Sequence, residues 1–98
     1  MVASFEWNEQ KSASNLGKHG VSFEQAKAVF ADAFALELDD RRKDYGERRR
    51  ILIGMAAEMV LTVVYTVRGE HTRIISARRA SRHERASYDR QQGERDDG

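Results

Sequence analysis

Between Arg73 and Arg85 the chain reads RIISARRASRHER, with Arg73, Arg78, Arg79, Arg82, His83 and Arg85 all in that stretch. An apolar run, Ile74-Ile75, passes through Ser76-Ala77-Arg78-Arg79 into Ser81-Arg82-His83-Glu84, where Ser81 and Glu84 have capping-box spacing. A strand handing over to a capped helix through several guanidinium groups suits the binding of a phosphate chain, because guanidinium stays charged and forks onto phosphate oxygens. The competing reading is the solvated edge of a small domain, with Arg78, Arg79 and Arg82 paired to Glu84 or to other carboxylates of the protein.

The elements that position these groups follow from the hydrophobic pattern. Ser4-Phe5-Glu6-Trp7 alternates like a short strand. Asn8 caps a helix over Glu9 to Leu16, with Lys18 and His19 near its negative end and Gly17 or Gly20 as the stop. Ser22 and Gln25 form a capping box for a second helix, whose stripe of Phe23, Ala26, Val29 and Phe30 ends near Asp32. Ala35 to Leu38 reads as a short strand. Asp39 to Glu47 reads as a charged loop whose Asp39, Asp40 and Asp44 bind a cation only with oxygen ligands from elsewhere. Arg49 to Met55, Val60 to Val67 and Thr72 to Ala77 form a meander rich in Ile, Val, Thr and Tyr, and the last helix starts at Ser81. The expected fold is one α+β domain over residues 1–90, with an antiparallel sheet, two N-terminal helices packed on it and a C-terminal helix; residues 91–98 read as a flexible polar tail.

The turns sharpen the geometry. If Ala57-Glu58 and Gly69-Glu70 are two-residue hairpin turns, Arg49 lies opposite Thr66 and Thr66 opposite Arg73, all on one face. That face carries Ile51, Ile53, Val64, Ile75 and Ala77, and the other Leu52, Leu61, Val63, Tyr65, Ile74, Ser76 and Arg78. Arg73 and Arg78 then point opposite ways unless a bulge intervenes near Ser76. We place the first two helices on the Leu/Val/Tyr face and leave the arginine row more open.

Composition narrows the function classes. The 98 residues allow one domain, and 17 Lys and Arg against 16 Asp and Glu give no overall charge signal for nucleic acid. The absence of cysteine excludes disulfides, thiolate metal sites and a cysteine nucleophile, and the three histidines lack metal-ligand spacing. No apolar run reaches a membrane span and Met1-Val2-Ala3-Ser4 does not open a signal peptide, so a cytoplasmic protein is expected.

Together, Phe5-Glu6-Trp7, Lys18-His19-Gly20-Val21-Ser22-Phe23, Arg49 with Ile53-Gly54, Tyr65-Thr66, Arg68-Gly69 and Arg73-Ile74-Ile75-Ser76-Ala77-Arg78 with Glu84 and Tyr88 resemble the BrnT family of toxins. The resemblance runs from about Phe5 to Tyr88. It departs at Arg48, Arg50 and Val67, where the family favours an acid, an aromatic residue and Glu. It implies a RelE-like ribonuclease fold, neutralisation by a BrnA-like antitoxin, contact with operator DNA only through that antitoxin, and a hetero-oligomer with two copies of each partner.

Side chains suited to RNA cleavage are present. Cleavage without a metal needs a base for the 2′-hydroxyl proton, an acid for the leaving 5′-oxygen and cations for the added negative charge at phosphorus. The candidate catalytic residues are Lys18, His19, Arg49, Tyr65 and Arg73, with Arg73 on the scissile phosphate; Arg50, Arg78, Arg79 and Arg82 are candidates for binding flanking RNA or the antitoxin. Each has a plainer role available: Lys18 and His19 in capping a helix, Tyr65 in the core, Arg49 and Arg73 as an exposed cross-strand pair. His71 and His83 read as solvated. No cofactor or metal is expected. The reading is a toxin-like, metal-independent endoribonuclease acting on mRNA, free or on the ribosome; the alternative is a non-catalytic module that binds nucleic acid or docks an antitoxin.

Overall fold

Asn8 holds extended backbone (φ −86°, ψ 124°) and its side chain accepts the Lys11 amide, which starts helix α1, Glu9–His19. The computed structural model describes residues 4–41 and 46–96. α1 runs past the expected end at Leu16; Gly20, at φ 71°, terminates it and donates its N–H to the Leu16 carbonyl. The Ser22–Gln25 capping box forms as read, but it opens only four residues of helix, α2, Phe23–Ala26. The chain then tightens into a 3-10 turn, Lys27–Ala31. Phe23, Ala26 and Val29 are fully buried, and their spacing of three matches three residues per turn, so the tighter winding keeps all three on the sheet.

The remaining elements are β1, Ser4–Glu6; β2, Leu36–Asp39; β3, Arg50–Ala56; β4, Met59–Arg68; β5, His71–Arg79; and α3, Arg82–Asp96. α3 enters the polar stretch that starts at Gln91, while Asp44, Asp97 and Gly98 lie outside the described residues. Both hairpins have the expected two-residue turns, with Ala56 opposite Met59 and Arg68 opposite His71.

The sheet order is β1-β5-β4-β3-β2. It is mixed rather than wholly antiparallel, because β1 pairs parallel with β5, Ser4 to Glu6 against His71 to Arg73. Alternation in a three-residue strand assigns faces but carries no strand direction, and the partner strand lies at the far end of the chain.

α2 and the 3-10 turn cover the expected face, while α1 packs beside the edge of β5 through Asn15. Val21, Phe23, Ala26 and Val29 pack on Leu52, Ala56, Leu61, Val63, Tyr65, Ile74 and Ala77. On the opposite face α3 lays Tyr88 against Ile53 and Val60. Gly54 permits close approach: a Cβ there would stand 3.0 Å from Val29 Cγ1 and 3.1 Å from both Ala35 Cβ and Asp32 Oδ2.

The outer strands are short, so β5 and β3 both run on past their partners, and a side chain closes each exposed edge. Beyond β1, Asn15 of α1 donates to the Ala77 carbonyl (2.6 Å) and accepts from the Ala77 amide (3.2 Å), as a neighbouring strand would. Beyond β2, Asp32 accepts the Met55 amide (2.8 Å) and also the Tyr88 hydroxyl (2.6 Å). One carboxylate thus ties the 3-10 turn, the β3 edge and α3 together.

Candidate active site

Two facts of pleat and turn chemistry build the site. The Gly69-Glu70 turn, with Gly69 at φ 60°, puts Arg68 opposite His71 and Thr66 opposite Arg73. Alternation then sends Arg68, Thr66, His71 and Arg73 to the face away from α2. Arg50 pairs with the inward Tyr65, so the preceding Arg49 joins the outward group. The expected row of Arg49, Thr66 and Arg73 therefore exists, on the expected face.

Carboxylates hold this row in place. Glu6 of β1, in register with Arg73, lies 3.2 Å from its Nη1. Glu47 lies 3.1 Å from Arg68 and 3.6 Å from Arg49 Nε. The hydrogen bond from Arg68 lowers the Glu47 pKa from the usual carboxylate value, against a smaller opposing effect of burial. Arg49 and Arg73 are half-buried, their side chains 25% and 28% exposed, and the Nε of Arg49 is enclosed, so their stems are fixed. Thr66 is buried and donates to the Arg48 carbonyl at 2.6 Å, which anchors the strand leading to Arg49. His71 is exposed and hydrogen-bonded through Nδ1 to Ser4 Oγ. One end of the sheet thus presents three guanidinium groups and an imidazole, spaced by two carboxylates.

Other candidates stand elsewhere. Tyr65 is on the helix-covered face, 6% exposed, with its ring edge-on to Phe30. Its hydroxyl donates to Glu37 at 2.7 Å, and Glu37 also pairs with Arg50 at 2.9 Å. Burial and then the Glu37 carboxylate push the Tyr65 hydroxyl up to about 12, so it remains a protonated donor and is a poor match for proton transfer near neutrality. Lys18 and His19 close α1 and line a cleft with Ile75 and Ser76 at the outer edge of β5. Arg79 and Arg82 are exposed at the junction of β5 and α3.

Arg78 pairs with Glu84, the contact its plainer reading expects. Its guanidinium forks onto Glu84 at 2.7 and 2.8 Å, and Glu84 also accepts from Thr62 (3.0 Å) and the Ser81 amide (2.8 Å) as part of the capping box. A bulge brings Arg78 there. Val64 pairs with Ser76 but Tyr65 with Ile74, so Ile75 has no opposite number. The extra residue turns Ala77 inward and Ser76 and Arg78 outward, correcting the faces expected for these three. Arg73 and Arg78 consequently share a face.

The Arg78 contact lowers the Glu84 carboxyl from 4.5 to about 2, against burial, with help from Ser81 and Thr62. A depressed folded-state value means that the contribution is complete above about 4.5 and disappears as pH falls towards 2. The Glu84→Gln variant is therefore expected to be less stable than wild type by about 1–3 kcal/mol at pH 7, with the gap closing between pH 4.5 and 2; urea unfolding across that range is the check.

The sequence reading took His71 as solvated and gave no site role to Arg68, Glu6 or Glu47. Arg68 and His71 were within reach, since the two-residue turn that aligns Thr66 with Arg73 also aligns Arg68 with His71. Glu6 depended on the parallel pairing of β1, which no pattern announced. Among the described residues no group of three His, Asp or Glu is placed to hold a metal ion, and no helix is long and apolar enough to cross a membrane.

Residues 7–84 match a family described as the ribonuclease toxin, BrnT, of type II toxin-antitoxin system. No curated protein matches the chain.

Proposed function

Because the chain belongs to the BrnT family of ribonuclease toxins of type II toxin-antitoxin systems, we propose that it is a metal-independent endoribonuclease that cuts mRNA in the cytoplasm, blocks translation and is neutralised by a BrnA-like antitoxin. The observation that carries this reading is the polar end of the outward sheet face, where Arg49, Arg68 and Arg73 stand with His71. Single-stranded RNA laid across it brings a phosphate to Arg73 and Arg49. The 2′-oxygen gives up its proton and attacks the adjacent phosphorus; the bond to the 5′-oxygen breaks, and that oxygen takes a proton. The products are a 2′,3′-cyclic phosphate and a 5′-hydroxyl end. The guanidinium groups stabilise the charge that builds on the non-bridging oxygens. His71, of the side-chain type suited to exchanging protons near neutrality, is the proton-transfer group on that face. Glu6 and Glu47 are positioning residues that hold the guanidinium planes.

Purified protein incubated with labelled RNA in EDTA is expected to produce fragments ending in cyclic phosphate. Intact but gel-retarded RNA would instead identify a binding module, and intact, unretarded RNA a protein whose business is antitoxin docking.

A further inference from the structure

β1 stays in register with β5 only as far as Arg73. Past that point the outer edge of β5 faces α1, and a cleft of about 260 Å³ lies there beside the bulge at Ile75. Lys11, Ser14 and Lys18 recur at helical spacing along α1 and line it, joined by His19, Ile75 and Ser76. Two features give the cleft a sign and a size. Among the described residues no carboxylate pairs with Lys11, Lys18 or His19, whereas the arginines of the outward face carry Glu6 and Glu47. A concave surface lined by two uncompensated ammonium groups, those of Lys11 and Lys18, concentrates anions. The volume is below the roughly 300–1,000 Å³ of small-molecule pockets and leaves room for a phosphate group.

Ser76 connects this cleft with the sheet face. It pairs with the outward Val64 yet lines the cleft, and it follows Arg73 by three residues, about 10 Å along the strand. That separation suits a neighbouring nucleotide better than the phosphate at Arg73. We propose that the cleft is a flanking subsite, in which Lys11, Lys18 and His19 with the hydroxyls of Ser14 and Ser76 bind a backbone phosphate of the RNA beside the one that is cut. The strand passes from Arg73 over the β5 edge at the bulge. The subsite rests on the ribonuclease reading for its ligand and adds the path of the substrate.

Binding of a short 2′-O-methyl oligoribonucleotide, which lacks the attacking hydroxyl and stays intact, tests it by fluorescence anisotropy over a range of salt concentrations. The Lys11→Gln/Lys18→Gln variant is expected to bind more weakly and to lose about 0.7 from the slope of log affinity against log salt for each phosphate contact removed. Lys27→Gln, which removes a charge that pairs with Glu24 on α2, should leave the slope in place. An unchanged slope in the double variant, an equal loss in Lys27→Gln, or no binding by wild type overturns the subsite. RNA cutting by wild type is scored separately. A protein that grips the oligoribonucleotide through Lys11 and Lys18 but never cuts RNA retains the subsite and refutes the ribonuclease; one that cuts with the slope unaltered does the reverse.

Discussion

The Arg73→Ala variant is expected to cut RNA about 10²–10³-fold more slowly than wild type, the loss seen when one preorganised donor to a developing oxyanion is removed, while its circular dichroism spectrum stays that of the wild type. The direction follows from how Arg73 is held. Its side chain is 28% exposed and Glu6 braces it at 3.2 Å, so the guanidinium meets its phosphate without first being ordered. A partly exposed ion pair of this kind contributes about 1 kcal/mol or less to folding, which leaves the fold intact when it is removed. Arg73→Lys is expected to recover little of the rate, because an ammonium group is a point charge and cannot fork across two oxygens. Single-turnover cleavage of a labelled RNA measures both. Near-wild-type rates in Arg73→Ala would remove the outward face from consideration as the catalytic one.

For Asp32→Ala a fall in stability of about 3 kcal/mol is expected, from at least three donors left without their acceptor. In a domain of this size that corresponds to a melting temperature lower by about 12–24 °C. Asp32 accepts from the Phe34 amide at 2.9 Å, the Met55 amide at 2.8 Å and the Tyr88 hydroxyl at 2.6 Å. Burial opposes ionisation of this carboxyl, but the three hydrogen bonds together leave its pKa lowered. Burial and the Asp32 carboxylate push the Tyr88 hydroxyl up to about 12, so it stays protonated and donating. The loss reaches three elements at once: the end of the 3-10 turn, the unpaired edge of β3 and the inner face of α3. Tyr88→Phe keeps the ring on Ile53 and Val60 and is expected to cost about 1.5–3 kcal/mol, the range for a hydrogen bond to a charged group. In a thermal double-mutant cycle Asp32→Ala and Tyr88→Phe should fall short of additivity because they remove the same bond. Full additivity would show that Asp32 does not hold α3.

Much of the site was legible in the sequence because turns are local. Ala57-Glu58 and Gly69-Glu70 leave little choice of register, and register decides faces; hence Arg49, Thr66 and Arg73 could be aligned from sequence alone. The capping boxes at Ser22 and Ser81 were equally local, each involving side chains three residues apart. Tyr65 was less legible. Its strand pattern assigned it to the covered face, but only the packing against Phe30 and the bond to Glu37 show how its ring and hydroxyl are engaged.

By itself, then, the sequence determined the order of elements, the meander registers as far as the bulge, the face that the second helix covers and the family resemblance carried by its short motifs. Tertiary structure decided three things that no local pattern encodes. It laid β1 parallel beside β5, which brought Glu6 to Arg73. It closed the two sheet edges with Asn15 and Asp32, side chains whose targets are remote in sequence. It also placed the bulge at Ile75. Ile74-Ile75-Ser76-Ala77 is nearly as apolar on one pleat as on the other, so alternation could not choose between them. The choice came from elsewhere: Asn15 taking both backbone groups of Ala77, and Glu84 waiting for Arg78 on the outward face.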